Sequence, residues 1–357
     1  MSDRTSSAIR STITEATLPE HAALCKVEYG PGVPGANVDH LRWQYLQGPA
    51  GESFVDTVRE PGGPAFGRIA YWPRRFRSGA GDRRALFLVE LLIDARRRSL
   101  GAFVQLMRQV RDHPAADFVF VVPNDTSAPL YQRVLGFEPV GALQLTGLPL
   151  RPERLLHGRR SAIVRWLATA AGGVGRLALR AVLWPTPSVR LTEDVPSADE
   201  LGTLTNSLYR DDAWIGDRDH AFHVWRFLSD PIARYRVRYA YDRSGFAGYA
   251  VCRIADLDEV PACVILDCIA AGPRWKRVTR ALVADVITHA RRERAGVVAA
   301  LSFGDTNLTR GLRRFPLLRV PQRFSPQQMP LFVEPVGEQA GTERPRLSVT
   351  LADMDNF

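Results

Sequence analysis

Lysine is almost absent from this chain, because Lys26 and Lys276 are the only two among 357 residues. Arginine therefore supplies nearly all of the 47 basic side chains, and the formal net charge is +9. Arginine makes planar, bidentate contacts with carboxylate and phosphate groups, and a basic surface favours anionic partners. Phosphorylated cofactors, acidic glycans, anionic lipids and nucleic acid all fit that description, so the charge alone does not choose among them.

Long apolar runs and clustered metal ligands are missing as well. No stretch approaches the roughly 18 apolar residues of a membrane-spanning helix, and the N-terminus has no apolar signal-peptide core. The 4 cysteines form no Cys-x-x-Cys pair, and none of the 7 histidines stands at helical metal-ligand spacing beside a third ligand. We therefore expect a cytoplasmic protein with buried free thiols and no bound metal.

A strand, a basic loop and a helix follow one another directly in the first half of the chain. Residues 85–93 are apolar except for Glu90, which is typical of a strand buried on both faces. Apolar residues then recur with the period of a helix that buries one face, at Phe103, Leu106, Met107 and Val110. The loop between them therefore lies at a helix N-terminus, where free N–H groups and the helix dipole favour an anion, and Arg98 adds a charge.

A second strand and a second helix come next. Residues 117–122 form another apolar run, and Ser127 is a plausible N-cap for a helix that carries Tyr131. Gly136 is the expected left-handed C-cap, so this helix should end there. The order strand, basic loop, helix, strand, helix predicts an α/β half-domain that binds a phosphorylated ligand.

The same segments resemble motifs A and B of the GNAT superfamily of acyl-CoA-dependent N-acyltransferases. The matching residues are Glu90, then Arg98-Ser99-Leu100-Gly101-Ala102-Phe103, then Pro123-Asn124-x-x-Ser127-x-x-x-Tyr131, and finally Gly136-Phe137. They are most similar to a bacterial branch that has Asp, Arg-Gly-x-Gly-x-Phe and Pro-Asn-x-x-Ser in these places. Ser99 stands where that branch has its first loop glycine, so a small Cβ group is added where backbone approaches phosphate.

The resemblance implies acetyl-CoA or another acyl-CoA as donor, and it implies a role for each matching residue. Tyr131 would protonate the leaving thiolate, and its alternative is to pack its ring on the preceding strand. Glu90 would act as a base or orient the amine, and its alternative is a structural hydrogen bond. Asn124 would orient the donor or merely cap a turn. The implied donor contacts are Leu92 and Ile93 on a splayed strand, the loop residues Arg98, Ser99, Leu100, Gly101, Ala102 and Phe103, and then Asn124 and Ser127.

The chain also repeats itself. Trp43-Gln44-Tyr45-Leu46 is echoed by Trp225-Arg226-Phe227-Leu228, and each copy continues with two strands, a buried strand containing one acid, and an amphipathic helix. The acid is Glu90 in the first copy and Asp267 in the second. The second loop carries the bulky Trp275 where a backbone cradle needs space, so we expect only the first copy to bind CoA well. A short helix is expected later in the second copy, at residues 307–312.

The repeat predicts an α/β fold with two tandem GNAT-like domains, each a mixed sheet flanked by helices, at residues 1–150 and 186–357. The second domain would be degenerate. Residues 151–185 are expected to form a basic, amphipathic helical bridge. Its part at 159–184 would lie on an anionic membrane surface in one interpretation and pack across the domain junction in the other. The protein would accordingly be free in the cytoplasm or peripheral to the inner face of the membrane.

These features favour an N-acyltransferase that acts on an amine of a small metabolite, amino sugar or glycan precursor, the glycan being implied by the resemblance alone. Nucleic acid is not expected as a partner. Two alternatives stay open. A catalytically inactive module that recognises an anionic glycan or lipid would suit the altered loop and the basic bridge. An aminoacyl-tRNA-dependent transferase of the peptidoglycan-bridge type would suit the charge, but Arg98 and Gly101 favour CoA.

Overall fold

Most of the chain is described by the computed structural model. It describes residues 8–354 except 109, 111–112, 114–115, 152–182, 184–185, 187, 211, 258–259, 315, 323–324 and 326. The predicted bridge at 151–185 therefore lies almost wholly outside the described residues, and so does its membrane-facing part. Within the described ranges, no helix is both long enough and apolar enough to cross a bilayer.

The described residues form both strands and helices. The strands are β1 (Ala8–Thr12), β2 (Phe54–Arg59), β3 (Ala65–Ser78), β4 (Gly81–Ile93), β5 (Phe118–Val121), β6 (Pro139–Ala142), β7 (Gln144–Pro149), β8 (Arg190–Thr192), β9 (Trp214–Gly216), β10 (Arg236–Asp242), β11 (Gly245–Leu257), β12 (Val260–Ala270), β13 (Val297–Phe303), β14 (Leu318–Arg319), β15 (Pro330–Pro335) and β16 (Leu347–Thr350). The α-helices are α1 (Leu18–Tyr29), α2 (Val38–Leu46), α3 (Leu100–Met107), α4 (Ala128–Leu135), α5 (Ala198–Asn206), α6 (His220–His223) and α7 (Trp275–Arg292).

All of these strands join into one mixed sheet. Its main path runs β6-β15-β5-β4-β3-β9-β16-β13-β12-β11-β10-β8. β4 runs parallel to β5, and β12 runs parallel to β13. The predicted α/β fold with a mixed sheet is confirmed.

Strand β4 is buried on both faces, as its apolar run predicts. Phe87 and Val89 point into a core shared with α1 and α2. Leu86 and Leu88 alternate with them and point into a second core shared with α3 and α4. The sheet therefore separates two helix layers around β4.

Strands β7 and β15 pair only with strands from the other half of the sequence, and β9 also pairs with β3. β7 lies antiparallel to β13 and β14, both from the C-terminal half. β15 lies antiparallel to β5 and β6, both from the N-terminal half. The two pairings are reciprocal. The N-terminal half provides β7 as a neighbour of β13, and the C-terminal half provides β15 as a neighbour of β5. The sheet is therefore continuous across the predicted boundary.

The repeated tryptophans meet where the two halves join. The rings of Trp43 and Trp225 stack with centroids 5.1 Å apart and an interplanar angle of 20°. Trp43 Nε1 donates to the carbonyl of Trp225 at 2.9 Å, and Trp225 Nε1 donates to the carbonyl of Trp43 at 3.0 Å. Matching positions of the repeat thus contact each other in a symmetrical way, and both indole N–H groups are satisfied in the core.

The short helix predicted at residues 307–312 is wrong, because this segment forms consecutive turns. Thr309 Oγ1 donates to the carbonyl of Gly304 at 2.8 Å and accepts from the Thr306 amide at 3.3 Å. Threonine side chains that bond to nearby backbone compete with helical hydrogen bonds. Local side-chain bonding therefore replaces the helix here.

Candidate functional site

The parallel pair β4–β5 opens toward the C-terminal ends of its strands. Pairing covers only Ala85 with Phe118, Leu86 with Val119 and Phe87 with Phe120. β5 ends at Val121, whereas β4 continues to Ile93 along its other neighbour, β3. The edge of β4 from residue 88 onward therefore has no pairing with β5. This edge contains Leu92 and Ile93, the expected backbone contacts of the donor.

A bulge in β4 displaces Glu90 from the regular pairing. Ala70 pairs with Val89 and Arg68 pairs with Leu92, so the intervening part of β4 holds one residue more than β3. Glu90 has a φ of 50°, in the left-handed region that residues other than glycine seldom adopt. Such strained positions cluster at functional sites, because the surrounding structure must hold them in place.

The Glu90 carboxylate lies in a polar cluster on the side of β4 that faces α1 and α2. Its Oε2 accepts from the Tyr45 hydroxyl at 2.6 Å and is ion-paired with Nη2 of Arg68. Its Oε1 is 3.9 Å from Cys25 Sγ, and Arg68 Nη2 is 3.1 Å from the same sulfur. A Cβ atom on Gly35 would come within 2.7 Å of Glu90 Oε1, so the turn before α2 packs tightly on the carboxylate.

Arg68 is the buried cation of this cluster. Its side chain is 1% exposed, while that of Glu90 is 13% exposed. Burial and then the positive charge of Arg68 lower the pKa of His21, on α1, to about 4, so His21 is neutral at physiological pH. Arg68 Nε and Nη1 have no hydrogen-bond partner among the described residues. Glu90 is thus held as the partly exposed end of a buried ion pair.

The basic loop leads from the end of β4 to α3. Ser99 is the N-cap of α3, and its Oγ accepts from the Ala102 amide at 3.1 Å. Leu100 and Gly101 follow the cap, where the amides of an α-helix lack intrahelical acceptors. Arg98 is ion-paired with Glu28 of α1 and is 57% exposed. Ser99 therefore caps the N-terminus of α3, and Arg98 lies directly before this cap.

An open groove of about 540 Å³ runs between this loop and the β2–β3 hairpin. Arg97 spans it by pairing with Glu60 at 2.8 Å, and its guanidinium lies 5.2 Å from the centre of the Phe66 ring. The full lining is Glu60, Pro61, Phe66, Arg97, Ser99, Gly101, Ala102 and Gln105. Three of the predicted donor-binding residues thus border open space.

Tyr131 lies on α4, which ends at Gly136 in the left-handed conformation as predicted. Its ring is 2% exposed and packs against Phe103 and Phe332, with centroids 6.0 Å away in each case. Burial raises the pKa of the Tyr131 hydroxyl well above its usual value, so the phenol is neutral at physiological pH. The ring contacts agree with a packing role for Tyr131. The protonated hydroxyl agrees with a role as proton donor.

Asn124 organises the turn between β5 and α4. Its Oδ1 accepts from the Ser127 amide at 2.9 Å, from the Ser127 hydroxyl at 2.9 Å and from the Thr126 amide at 3.1 Å. Ser127 occupies the N-cap position of α4 but makes no side-chain capping bond. Asn124 therefore caps the turn, and Ser127 is bonded to it.

The corresponding parallel pair in the second half, β12–β13, is filled. β12 pairs with β13 from Ala262–Val297 to Ile265–Ala300, and β16 then pairs with Ser302 and Phe303 of β13. Asp267, the counterpart of Glu90, is fully buried and accepts from Arg218 Nε at 2.8 Å. Arg218 also donates to both carboxylate oxygens of Asp353 at 2.7 Å.

The loop side of this second junction is occupied as well. A Cβ atom on Gly311 would meet the carbonyl oxygen of Cys268 at 2.6 Å, so backbone lies directly against β12. Arg310 Nη2 donates to the carbonyl of Ala270 at 2.9 Å, and its guanidinium stacks 3.9 Å from the Trp275 ring centre. Protein atoms thus lie directly against β12 and the start of α7.

Sequence reasoning missed the residues that hold Glu90 and Arg98. Tyr45 belongs to the repeated Trp43 motif, and Arg68 interrupts the apolar run at residues 65–73, so both carried a detectable signal. Cys25 was expected as a buried thiol, and all four cysteines are buried and free. Nothing in the local pattern marked Glu28. Among the residues that the structure describes, no group of three metal-binding side chains occurs.

Comparison with known proteins supports this architecture through structure alone. No protein-family model and no curated protein matches the sequence. A GCN5-related N-acetyltransferase from Kribbella flavida has a TM-score of 0.57 at 15% identity, covering 94% of this chain and 72% of that one. Another from Anabaena variabilis has a TM-score of 0.58 at 12% identity, covering 92% and 73%.

A third solved structure is Saccharomyces cerevisiae N-myristoyltransferase with bound myristoyl-CoA. Its TM-score is 0.54 at 13% identity, and the alignment covers 97% of this chain and 86% of that one. At such identities the likeness establishes the fold. The chain has the fold of the GCN5-related N-acetyltransferases, and the resemblance inferred from its motifs is confirmed at that level.

Proposed function

We propose that this chain transfers an acyl group, with acetyl as the first candidate, from coenzyme A to an amine of a small metabolite, amino sugar or glycan precursor. The carrying observation is the open edge of β4 beside the N-terminus of α3. The edge of β4 at Leu92 and Ile93 that faces away from β3 has no pairing with β5 and offers backbone hydrogen bonds to the donor's amides and thioester carbonyl. Arg98 and the first amides of α3 offer a pyrophosphate site at the end of the same strand. The myristoyl-CoA bound by the yeast protein of similar fold supports an acyl-CoA donor.

The proposed chemistry divides between the two faces of β4. Glu90 would orient the acceptor amine, because its carboxylate is partly exposed and already accepts from Tyr45 and Arg68. As the amine attacks, a C–N bond forms and the thioester C–S bond breaks. Tyr131 would give its proton to the departing thiolate, while the amine releases its own proton to solvent or to Glu90. Asn124 and Ser127 would shape the turn beside the donor.

We also propose that the chain is built from two GNAT-like units, at residues 1–150 and 186–357, that exchange strands β7 and β15. The reciprocal pairings of β7 and β15 support this division. The symmetrical contacts between Trp43 and Trp225 support it as well. Superposition of β3, β4 and β5 on β11, β12 and β13 tests the proposal, and strands that do not match in order and direction would refute it.

The donor assignment is tested by calorimetric titration with acetyl-CoA. Arg98→Ala should weaken binding by about 1.5–3 kcal/mol, the range for a hydrogen bond to a charged group. Arg274→Ala is the matched control, because Arg274 precedes α7 in the second copy, and it should leave the affinity unchanged. Unchanged affinity in Arg98→Ala, or loss of binding in Arg274→Ala, would contradict the assignment.

Acyl transfer is then tested with a broad panel of amines. Binding of acetyl-CoA together with acylated product supports the enzyme. The altered loop and the packed Tyr131 ring favour the second candidate, an inactive module that recognises an anionic glycan or lipid. That candidate predicts neither acetyl-CoA binding nor transfer to any amine.

A further inference from the structure

The last turn of α1 carries a carboxylate into the proposed pyrophosphate loop. Glu28 Oε1 is ion-paired with Arg98 Nη2, and its side chain is only 12% exposed. Arg98 Nη2 otherwise reaches the carbonyl of Ile93 only at 3.5 Å. A carboxylate and a phosphate use the same N–H donors of a guanidinium. Glu28 therefore competes with the donor's pyrophosphate for an N–H donor of Arg98.

The remaining contacts of α1 show what Glu28 controls. The first turn of the helix is anchored elsewhere, because Glu20 pairs with Arg59 at 2.6 Å and accepts from the Ala65 amide at 3.1 Å. In the last turn, Val27 and Tyr29 are 70% and 59% exposed. That turn is held by the Glu28 ion pair and, one turn earlier, by the buried Leu24 and Cys25, which pack against Leu92.

Cys25 connects this turn to the acceptor side of β4. Its sulfur lies 3.1 Å from Arg68 Nη2 and 3.9 Å from Glu90 Oε1. Cys25 and Glu28 are three residues apart and so lie on one face of the helix. One turn of α1 therefore contacts the proposed acceptor cluster through Cys25 and the proposed donor loop through Glu28.

We propose that Glu28 is a latch, which holds Arg98 in the empty protein and is displaced when the donor binds. This inference rests on the proposed function, because it requires acyl-CoA at the loop. Displacement would release the last turn of α1 and loosen the contact of Cys25 with the Glu90 cluster. Donor binding at the loop would in this way alter the contacts of Glu90 on the other face of β4.

A double-mutant cycle in the full-length protein tests the latch, with acetyl-CoA affinity measured by calorimetry. Glu28→Gln keeps the side-chain shape and removes the charge that competes for Arg98. It should tighten binding about two- to fivefold, which corresponds to the worth of a partly exposed ion pair. In the Arg98→Ala background the same change should have no effect. If the ion pair only stabilises the fold, Glu28→Gln should weaken acetyl-CoA binding or leave the affinity unchanged.

Glu60→Gln is the matched control, because Glu60 pairs with Arg97 of the same loop at 2.8 Å. It removes one negative charge near the loop and leaves Arg98 paired with Glu28. The latch is supported if Glu28→Gln raises the acetyl-CoA affinity more than Glu60→Gln does, and if this gain disappears in the Arg98→Ala background. Unchanged or weaker binding in Glu28→Gln, or equal tightening in both variants, overturns it. If no protein in the set, including the wild type, binds acetyl-CoA, the donor assignment itself fails and the latch fails with it.

Discussion

The two parallel strand pairs of the sheet differ in what lies between their diverging ends. After three residue pairs, β4 and β5 separate and leave the edge of β4 unpaired with β5. After four pairs, β12 and β13 separate around β16, which pairs with the end of β13. The same topology thus gives an accessible edge in one half and a filled one in the other.

Glu90 on β4 and Asp267 on β12 show the same contrast. Glu90 is partly exposed and shares one Nη2 atom of Arg68 with Cys25. Asp267 is fully buried with Arg218, whose other nitrogens are taken by Asp353 and Thr350. One carboxylate is available to a ligand, and the other completes a closed network. The two acids thus differ in exposure and in the number of partners that surround them.

Tyr131→Phe should produce the largest effect on function. The change keeps the ring against Phe103 and Phe332 and removes only the hydroxyl. Loss of a general acid should lower kcat about 10²–10⁴-fold with nearly unchanged acetyl-CoA affinity. Steady-state kinetics and calorimetry on the same preparations measure the two quantities. A near-normal kcat would assign Tyr131 to packing alone.

Arg218→Ala should produce the largest effect on stability. The change leaves Asp267 and Asp353 buried without their counter-charge, which typically costs about 3–5 kcal/mol. Arg98→Ala beside the end of β4 is the control, and its effect should be within about 1 kcal/mol, because Arg98 is exposed and the loss is that of one partly exposed ion pair with Glu28. Urea unfolding measures both free energies. Equal losses of unfolding free energy in the two variants would contradict the difference between the open β4–β5 pair and the filled β12–β13 pair.

Acid should destabilise both halves through buried histidines. Burial, followed by nearby positive groups, lowers the pKa of His223 to about 3, as it lowers that of His21 to about 4. A folded-state pKa below the unfolded value near 6.5 means that the unfolded chain binds more protons, so stability is complete above that pH and falls below it. Each histidine should cost about 2 kcal/mol at pH 5 relative to pH 7.5.

Glutamine variants isolate the contribution of each histidine. His223→Gln and His21→Gln should each reduce the loss of unfolding free energy between pH 7.5 and pH 5 by about 2 kcal/mol. Urea unfolding at the two pH values measures the loss. If the variants lose as much stability as the wild type, these imidazoles are not the groups that take up protons on unfolding.

Local sequence signals were sufficient for the framework of the first site. The apolar run around Glu90, the period of α3 and the glycine at the end of α4 each act within a few residues, and the structure has all three. The repeated tryptophan motif indicated matching segments, but it did not predict that the rings of Trp43 and Trp225 stack on each other.

Partner choice between distant segments could not be read in the same way. β7 and β15 are strands of 6 residues each, and the backbone of any exposed sheet edge could form hydrogen bonds with either of them. Their exchange depends on the whole chain, and no local pattern encodes it. The pairings of Arg68 with Glu90 and of Arg98 with Glu28 likewise join residues that only the packing of α1 and β3 on β4 brings together.

Hydrogen exchange with and without acetyl-CoA tests the central claim most directly, because it reports on both junctions in one experiment. Mass spectrometry should show added protection in peptides that cover residues 88–93, 98–103 and 121–127, where the donor would pair with β4 and the loop. Peptides that cover 263–278 and 300–312 should exchange at the same rate in both states. Protection confined to the second set, or equal protection of both sets, would contradict an open first junction and a closed second one.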